Sequence, residues 1–164
     1  MGADIHLRQP TSGDHSRMVE IENLCFTEIR RFDPAYYSRV CNQFTPSLVA
    51  EIDGVVVGFA ICRTTSNEEV YLETLNVHPD FRGRGIAKYL LIALEKTFAG
   101  ANISKMSLHV DVNNRAAIGL YVRMGYSVHE RVACYYRDKG DAFVMFKQFN
   151  CSSSDTNNSR NSSA

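Results

Sequence analysis

Residues 75–87 have the sequence LNVHPDFRGRGIA, which predicts the end of a strand, a turn and the start of a helix. The apolar segment 70–77 leads into the turn, and Pro79 ends the strand because proline has no N–H for a ladder. After the turn, apolar residues recur at helical spacing: Ile86, Tyr89, Leu90, Ala93, Leu94 and Phe98. The chain is therefore organised around a strand–turn–helix unit.

The turn contains Arg82-Gly83-Arg84-Gly85, a sequence suited to binding phosphate. The first N–H groups of a helix have no intrahelical partners, and the helix dipole adds roughly half a positive charge there. Gly83 and Gly85 let an anion approach the backbone, and the two arginines add positive charge. A P-loop is excluded because no Gly-Lys-Ser/Thr follows, and the GxGxxG fingerprint lacks its third glycine. On these residues alone, a solvated turn is an equal alternative.

Two longer patterns resemble motifs of the GNAT acetyltransferase superfamily. The first is L-x-V, then P, then R-x-x-G-x-A, from Leu75 to Ala87, which is similar to the acetyl-CoA motif Q/R-x-x-G-x-G/A. The second is N-x-x-A-x-x-L-Y-x-x-x-G-Y, from Asn114 to Tyr126, which is similar to the last helix of the family and the strand after it. Since both occur in the expected order, the segment from about residue 5 to residue 150 is identified as a member of this superfamily.

The resemblance implies an α/β (α+β) GNAT fold, with a mixed, mostly antiparallel central sheet of about seven strands and about four helices. Splayed strands of that sheet would form the acetyl-CoA groove. Periodicity and turn signals predict strands at 5–8, 47–52, 55–63, 70–77, 106–112, 126–133 and 142–149. They predict helices at 34–42, 86–98 and 115–124, and a first helix capped by Ser12 or Asp14 and ending near Phe26. We expect residues 1–150 to form the acetyltransferase domain and the Ser/Asn-rich residues 151–164 to form a disordered tail.

Composition limits the class of protein. The 164 residues carry a formal net charge of zero, so nothing indicates a nucleic-acid or anionic membrane partner. No apolar run is as long as a membrane span, and the first residues do not resemble a signal peptide. The five cysteines are odd in number and form no CxxC pair, which is typical of reduced thiols in the cytoplasm. We therefore expect a cytoplasmic enzyme with no metal, no nucleic-acid partner and no membrane contact.

The resemblance implies acetyl-CoA as the acetyl donor. The backbone amides of Leu75 and Val77 would bind its pantetheine arm. Its pyrophosphate would be bound by Arg82, Gly83, Arg84, Gly85, Ile86 and Ala87. Tyr121 corresponds to the family tyrosine that protonates the departing thiolate, although a helix tyrosine can also be a core residue. Asn114 corresponds to an asparagine that touches the CoA arm, and it can also cap the last helix.

Tyr71 and His109 are the candidate base for the acceptor amine. His109 has a reference pKa of about 6.5, which suits general-base work near neutral pH. From residue types alone, a half-buried strand histidine and a core aromatic are the ordinary interpretation. Tyr71 before Thr74-Leu75, with His109 before Asn114, resembles the eukaryotic methionine-type protein N-terminal acetyltransferases, where the matching pair is a water-linked base. Bacterial ribosomal-protein alanine acetyltransferases are similar, but have glutamate at the position of His109. Glu73 is a second candidate base or a structural carboxylate.

Tyr135 and Tyr136 indicate the substrate class. VACYY at 132–136, with Asp141-Ala142 downstream, resembles the N-Y-Y…D-A segment of N-terminal acetyltransferases, whose paired tyrosines bond the substrate backbone. Phe26 corresponds to a residue that lines the pocket for the first side chain. Thr27-Glu28 differs from the proline-containing sequence of the methionine-type enzymes, so the preferred first residue stays open.

The sequence thus predicts an enzyme that acetylates the α-amine of protein or peptide N-termini by direct attack, with a water-linked base. By resemblance, an auxiliary ribosome-associated subunit is a candidate partner. One alternative is acetylation of a lysine side chain or a small-molecule amine, although no acidic run is present to attract a polyamine. Another alternative is a non-catalytic acyl-CoA-binding module, which would need the 82–87 turn but not Tyr71, His109 and Tyr121 together.

Overall fold

The computed structural model describes residues 4–42 and 46–149, so the predicted tail at 151–164 lies outside the described residues. The strands are β1 (His6–Arg8), β2 (Ser47–Ile52), β3 (Val55–Thr64), β4 (Glu69–Val77), β5 (Lys105–Asp111), β6 (Ser127–Val132) and β7 (Ala142–Gln148). The helices are α1 (His15–Cys25), α2 (Pro34–Asn42), α3 (Ile86–Ala99) and α4 (Arg115–Arg123), with 3₁₀ turns at Ser12–Asp14, Glu28–Arg30 and Pro79–Phe81. Every predicted element is present, with small shifts at its ends.

The strands form one sheet in the order β1-β2-β3-β4-β5-β7-β6. Only β4 and β5 pair in parallel, and the other neighbours are antiparallel. The expected mixed, mostly antiparallel sheet of seven strands is therefore confirmed. Helices α1 and α2 pack on one face around Phe59, while α3 and α4 pack on the other around Leu72 and Leu108. Both faces of the central strands are thus covered, which suits their long apolar runs.

β4 and β5 separate part-way along their length. They pair only where Glu69–Leu72 lies beside Lys105–Leu108, and both strands then continue without pairing to each other. On its other side β4 carries a bulge, because Leu72 and Thr74 pair with consecutive residues of β3 and leave Glu73 between them. A bulge bends and twists a strand. The two central strands therefore diverge towards their C-terminal ends, and this divergence opens the groove that the site occupies.

Gly58 of β3 allows close packing behind that groove. A Cβ at this position would lie 2.9 Å from the carbonyl oxygen of Asn76 and 3.3 Å from Cγ2 of Ile86. Only glycine fits such an approach without a shift of the backbone. β4 and the start of α3, which carry the turn, are in this way held tightly against β3.

The described residues contain neither a membrane-spanning helix nor a cluster of metal ligands. None of their helices is long and apolar enough to cross a membrane. Among the same residues, no group of three or more His, Cys, Asp or Glu side chains is placed to hold a metal ion. Cys25, Cys41, Cys62 and Cys134 are free thiols, and of these only Cys62 is buried.

Candidate active site

Two clefts meet where β4 and β5 diverge. We call the first the turn cleft: it has a volume of about 590 Å³ and lies between β4, the 82–88 turn and α4. We call the second the loop cleft: it has a volume of about 460 Å³ and lies between β4, β5, the α1–α2 segment and the β6–β7 loop. Both are lined by Phe26, Leu75, Asn114, Ala117 and Tyr121. These shared residues make the two clefts one continuous site.

The turn cleft brings together most of the residues expected to bind the cofactor. Its lining includes Leu75, Val77, Arg82, Gly83, Gly85, Ile86, Ala87, Asn114 and Tyr121. Gly83 and Gly85 have φ values of 75° and 79°, a conformation that favours glycine and turns the chain sharply into α3. Gly85 is the N-cap residue of α3, so the free N–H groups of the first helical turn lie at the cleft.

The two arginines of the turn have different surroundings. The Arg82 side chain lines the turn cleft, donating from Nε to the Val77 carbonyl at 3.2 Å and from its guanidinium to Cys25 Sγ at 3.3 Å. Arg84 is not among the lining residues. Its guanidinium donates to the Asp80 carbonyl at 3.2 Å and lies 5.0 Å from the ring centre of Phe81. Of the two arginines, Arg82 lines the turn cleft and Arg84 does not, and anion binding by either one stays a prediction.

Two cationic residues of this cleft were missed from the sequence. Lys88 lies in the first turn of α3, and Arg123 ends α4 on the opposite wall. Lys88 directly follows the turn motif, so its signal was a positive charge in the first turn of α3, whereas Arg123 lies on a different helix and had no local signal. Together with Arg82 and the start of α3, they make the turn cleft suitable for a polyphosphate.

Tyr71 and His109 are in direct contact in the loop cleft. Tyr71 Oη lies 2.9 Å from His109 Nδ1, and it also lies 3.2 Å from the hydroxyl of Tyr135. The Tyr135 ring stacks on the imidazole, with centroids 4.1 Å apart and an interplanar angle of 8°. The water-linked arrangement expected for the pair is replaced by a direct hydrogen bond. Tyr71 pairs with Ser107, two residues before His109, so the two side chains are diagonal neighbours on adjacent strands.

Burial separates the proton affinities of this pair. It lowers the pKa of His109, so the imidazole is neutral at neutral pH. Burial, together with the hydrogen bond to Tyr135, raises the pKa of Tyr71, so the phenol keeps its proton. Tyr71 can therefore donate to Nδ1 of His109, and the imidazole is the member of the pair that can accept a proton.

Tyr121 lies at the junction of the two clefts, 7% exposed. Burial raises its pKa, so its hydroxyl stays protonated and can act as an acid. Asn114, the N-cap of α4, accepts the Ala117 N–H on Oδ1 at 3.1 Å and lines both clefts. Capping of α4 and contact with a ligand are thus compatible for this side chain.

The expected substrate residues surround the loop cleft. Phe26 ends α1 and lines both clefts, while Tyr135 and Tyr136 line the opposite wall. Glu73 also lines this cleft, but its carboxylate accepts hydrogen bonds from the Tyr36 hydroxyl and, at 2.9 Å, from Arg63. These bonds fit the structural role that the sequence left open for Glu73 and not that of a free base.

Glu22 is a buried carboxyl at this cleft that sequence reasoning missed. It is 1% exposed and accepts from Asn76 Nδ2 at 2.5 Å and from the Phe32 N–H at 3.2 Å. Burial raises its pKa. The available signal was an acidic residue on the apolar face of α1, next to Ile21. Glu22 ties α1 and the segment after it to β4, and so helps to shape the cleft wall.

The chain is similar to known acetyltransferases. The family model described as the acetyltransferase (GNAT) family matches residues 15–126. A curated acetyltransferase of Yersinia enterocolitica is 35% identical over 85 residues, which are 52% of this chain and 60% of that protein. The match thus spans less than two thirds of the length of this curated relative.

Solved structures share the fold over most of the chain. Ard1 from Thermoplasma volcanium has a TM-score of 0.83 at 22% identity, covering 89% of this chain and 98% of that one. Arabidopsis thaliana Naa50, in complex with the bisubstrate analogue CoA-Ac-MVNAL, has a TM-score of 0.77 at 25% identity, covering 88% and 99%. The ribosomal-protein-S18-alanine N-acetyltransferase of Escherichia coli has a TM-score of 0.77 at 22% identity, covering 88% and 94%.

Proposed function

Because the chain belongs to the GNAT acetyltransferase family, we propose that it transfers the acetyl group of acetyl-CoA to the α-amine of protein or peptide N-termini. One observation carries the proposal: the Tyr71–His109 pair, stacked against Tyr135, lies in a cleft that joins the turn cleft at Tyr121. A base beside one cleft and an acid at its junction with the other are what direct acetyl transfer to an amine requires. The Naa50 complex with a CoA–peptide analogue supports the same use of a similar fold.

Acetyl-CoA occupies the turn cleft in this proposal. The N–H groups at Gly83–Ala87, together with Arg82, Lys88 and Arg123, would hold its pyrophosphate. The amides of Leu75 and Val77, on the part of β4 where pairing with β5 has ended, would hold its pantetheine arm. The thioester then reaches the junction of the two clefts, beside Tyr121. Acetyl-CoA supplies an activated acetyl carbonyl, and the protein orients it.

The acceptor amine reaches the thioester from the loop cleft. The neutral amine attacks the carbonyl carbon, a C–N bond forms, and the C–S bond breaks. As the amine loses its proton to Tyr71 Oη, the Tyr71 proton passes to His109 Nδ1 along their hydrogen bond. Tyr121 gives its proton to the departing CoA thiolate, since burial keeps that phenol protonated. Two separate groups thus do the acid and base work.

The charges of the loop cleft favour a peptide over a polyamine. A polyamine site needs carboxylates that are free to bind ammonium groups. Here Glu73 is paired with Arg63, Asp111 is paired with Arg30, and Glu22 accepts from Asn76 and Phe32. Tyr135 and Tyr136 instead offer rigid rings with one polar group each, which suit a peptide backbone. The auxiliary subunit and the cytoplasmic location remain predictions.

A comparison of acceptors tests the proposed function. CoA release would be measured with acetyl-CoA and three kinds of acceptor: short peptides that differ at residue one, spermidine, and α-blocked lysine. We expect kcat/KM for the best peptide to exceed that for the other amines by ~10²-fold, since only the peptide combines a free α-amine with the backbone groups that follow it. A preference for spermidine or for the blocked lysine would contradict the proposal and leave the family assignment intact.

A further inference from the structure

Arg30 connects three parts of the loop cleft. It lies between α1 and α2, and its Nε and guanidinium donate to the two carboxylate oxygens of Asp138 at 2.6 Å and 3.0 Å. A third bond runs from the same guanidinium to Asp111, the last residue of β5. The guanidinium also lies 4.3 Å from the ring centre of Tyr136. One side chain therefore joins the α1–α2 segment, β5 and the β6–β7 loop.

The geometry of this cluster differs from that of an ordinary surface ion pair. The side chains of Arg30, Asp111 and Asp138 are 19%, 18% and 33% exposed. Exposed pairs contribute little to stability, whereas bidentate arginine–carboxylate bonds in a partly buried network are stronger and more directional. The hydrogen bonds from Arg30 hold the pKa of Asp138 below its usual value, so this partner is ionised at neutral pH.

The β6–β7 loop is folded closely around the guanidinium. A Cβ added at Gly140 would lie 2.4 Å from an Arg30 nitrogen, so the loop backbone itself packs against the arginine. The Asp138 carboxylate that binds Arg30 also accepts the Gly140 N–H at 3.1 Å, and Tyr136 donates its N–H to the Gly140 carbonyl at 3.0 Å. Loss of Arg30 would remove a contact around which this turn closes.

We propose that Arg30 is a positioning residue, which holds the 133–141 loop against β5 so that Tyr135 and Tyr136 are in place before a peptide binds. This inference rests on the proposed function, because it assigns the loop to the peptide. A loop that is already ordered loses less conformational entropy on binding, so its preorganisation lowers KM for the peptide. Binding of acetyl-CoA in the turn cleft does not depend on this loop.

The first readout is independent of activity. Arg137 and Lys139 are trypsin sites within the loop, and cleavage after each can be followed by mass spectrometry in the intact protein. We expect Arg30→Ala to be cleaved there ~10-fold faster than wild type, because cleavage reports the population of the opened loop. Arg17→Ala is the matched control, since it removes an arginine–carboxylate pair that lies on α1 and does not involve the loop.

The second readout is the split between KM and kcat. We expect Arg30→Ala to raise KM for the peptide by ~10-fold, with KM for acetyl-CoA and kcat changed less than about twofold. Arg30→Lys keeps the charge but cannot make the bidentate bond together with the bond to Asp111, so its effect should be intermediate. If Arg30→Ala does not fold, Asp138→Asn should show the same KM change, since it weakens the same bonds at a surface position.

Each result decides a separate question. Cleavage of Arg30→Ala at the wild-type rate would overturn the proposal, and so would faster cleavage with an unchanged KM for the peptide. If wild-type protein acetylates none of the peptides, the proposed function fails, while the cleavage rates still show whether Arg30 holds the loop.

Discussion

Three residues of the site owe their proton chemistry to burial. Burial lowers the pKa of His109 and raises the pKa of Tyr71 and of Tyr121. The imidazole is therefore free to accept a proton at neutral pH, while both phenols keep theirs. Burial is the largest cause of each shift, whereas nearby carboxylates act more weakly: Glu130 opposes the lowered pKa of His109, and Glu73 adds to the raised pKa of Tyr71.

The base should behave as one unit. Tyr71→Phe and His109→Ala should each lower kcat ~10²-fold or more, because each breaks the hydrogen bond through which the proton moves. The double variant should be little slower than either single variant, which steady-state kinetics on one peptide would measure. Losses that simply multiply would show that the two residues have independent roles.

The pH profile should show the lowered pKa of His109. A base works above its pKa, so the rate should fall only as the pH drops below the ordinary histidine value of about 6.5. Replacement of His109 by alanine should flatten this acidic limb. The α-amine of the peptide titrates near pH 8. Its pKa must therefore be measured separately, so that its contribution can be removed from the pH–rate profile. An acidic limb that is identical in wild type and His109→Ala would contradict the assignment.

Tyr121→Phe removes only a hydroxyl from the junction of the two clefts. We expect kcat to fall while the melting temperature and the peptide KM stay close to those of wild type, since the ring packing against Tyr126 is kept. Rapid-quench measurement of acetyl transfer would check that the chemical step is the one affected. Wild-type turnover would make Tyr121 a core residue.

The turn between β4 and α3 is the element that we propose to bind the donor. The double variant Arg82→Ala with Gly85→Asp should weaken acetyl-CoA binding strongly in calorimetry, because a carboxylate would face the pyrophosphate at a glycine with φ of 79°. Arg84→Ala should weaken it less than Arg82→Ala, since Arg84 lies against Asp80 and Phe81 outside the cleft lining. Equal affinity of the double variant and wild type would remove the phosphate from this turn.

An ion pair between Arg8 of β1 and Asp14 in the turn before α1 contributes to the stability of the fold. Asp14 accepts two hydrogen bonds from Arg8, at 2.7 Å and 2.9 Å, and these bonds lower its pKa to about 2. A lowered carboxyl pKa contributes stability above the unfolded value and loses it as the pH falls through the folded value. Asp14→Asn should therefore lower the free energy of unfolding by about 2 kcal/mol at pH 7. Urea titrations should show the difference shrinking between pH 4 and pH 2.

The elements could be predicted from the sequence because their signals are local. The Asp53-Gly54 hairpin, Pro34 at the start of α2 and the alternation along β5 each act within a few residues. The site contacts that were missed are not local. Arg30 bonds Asp111 and Asp138, which lie 81 and 108 positions later in the chain. Glu22 bonds Asn76, which lies 54 positions later. Local sequence patterns do not show which loops meet across a cleft.

At the scale of the whole molecule, the splay of one strand pair produces the site. The parallel pairing of β4 and β5 ends at Leu72 and Leu108, and the two clefts open beyond that point. In the proposed function, the donor would enter between β4 and α4, and the acceptor would enter between the α1–α2 segment and the β6–β7 loop. The reacting atoms would then meet beside Tyr121. The splay of the central strands was predictable from the resemblance, whereas the direct Tyr71–His109 bond and the position of Arg84 were not.

Acetylation of the α-amine is best tested by locating the acetyl group on a peptide that has both a free α-amine and one internal lysine. Tandem mass spectrometry after partial reaction with acetyl-CoA would distinguish the two positions. We predict that the acetyl group lies on the α-nitrogen in wild type, and that the yield falls with Tyr71→Phe and with His109→Ala. Acetylation of the lysine side chain, at a rate that does not change when the α-amine is blocked, would contradict the proposed N-terminal acetylation.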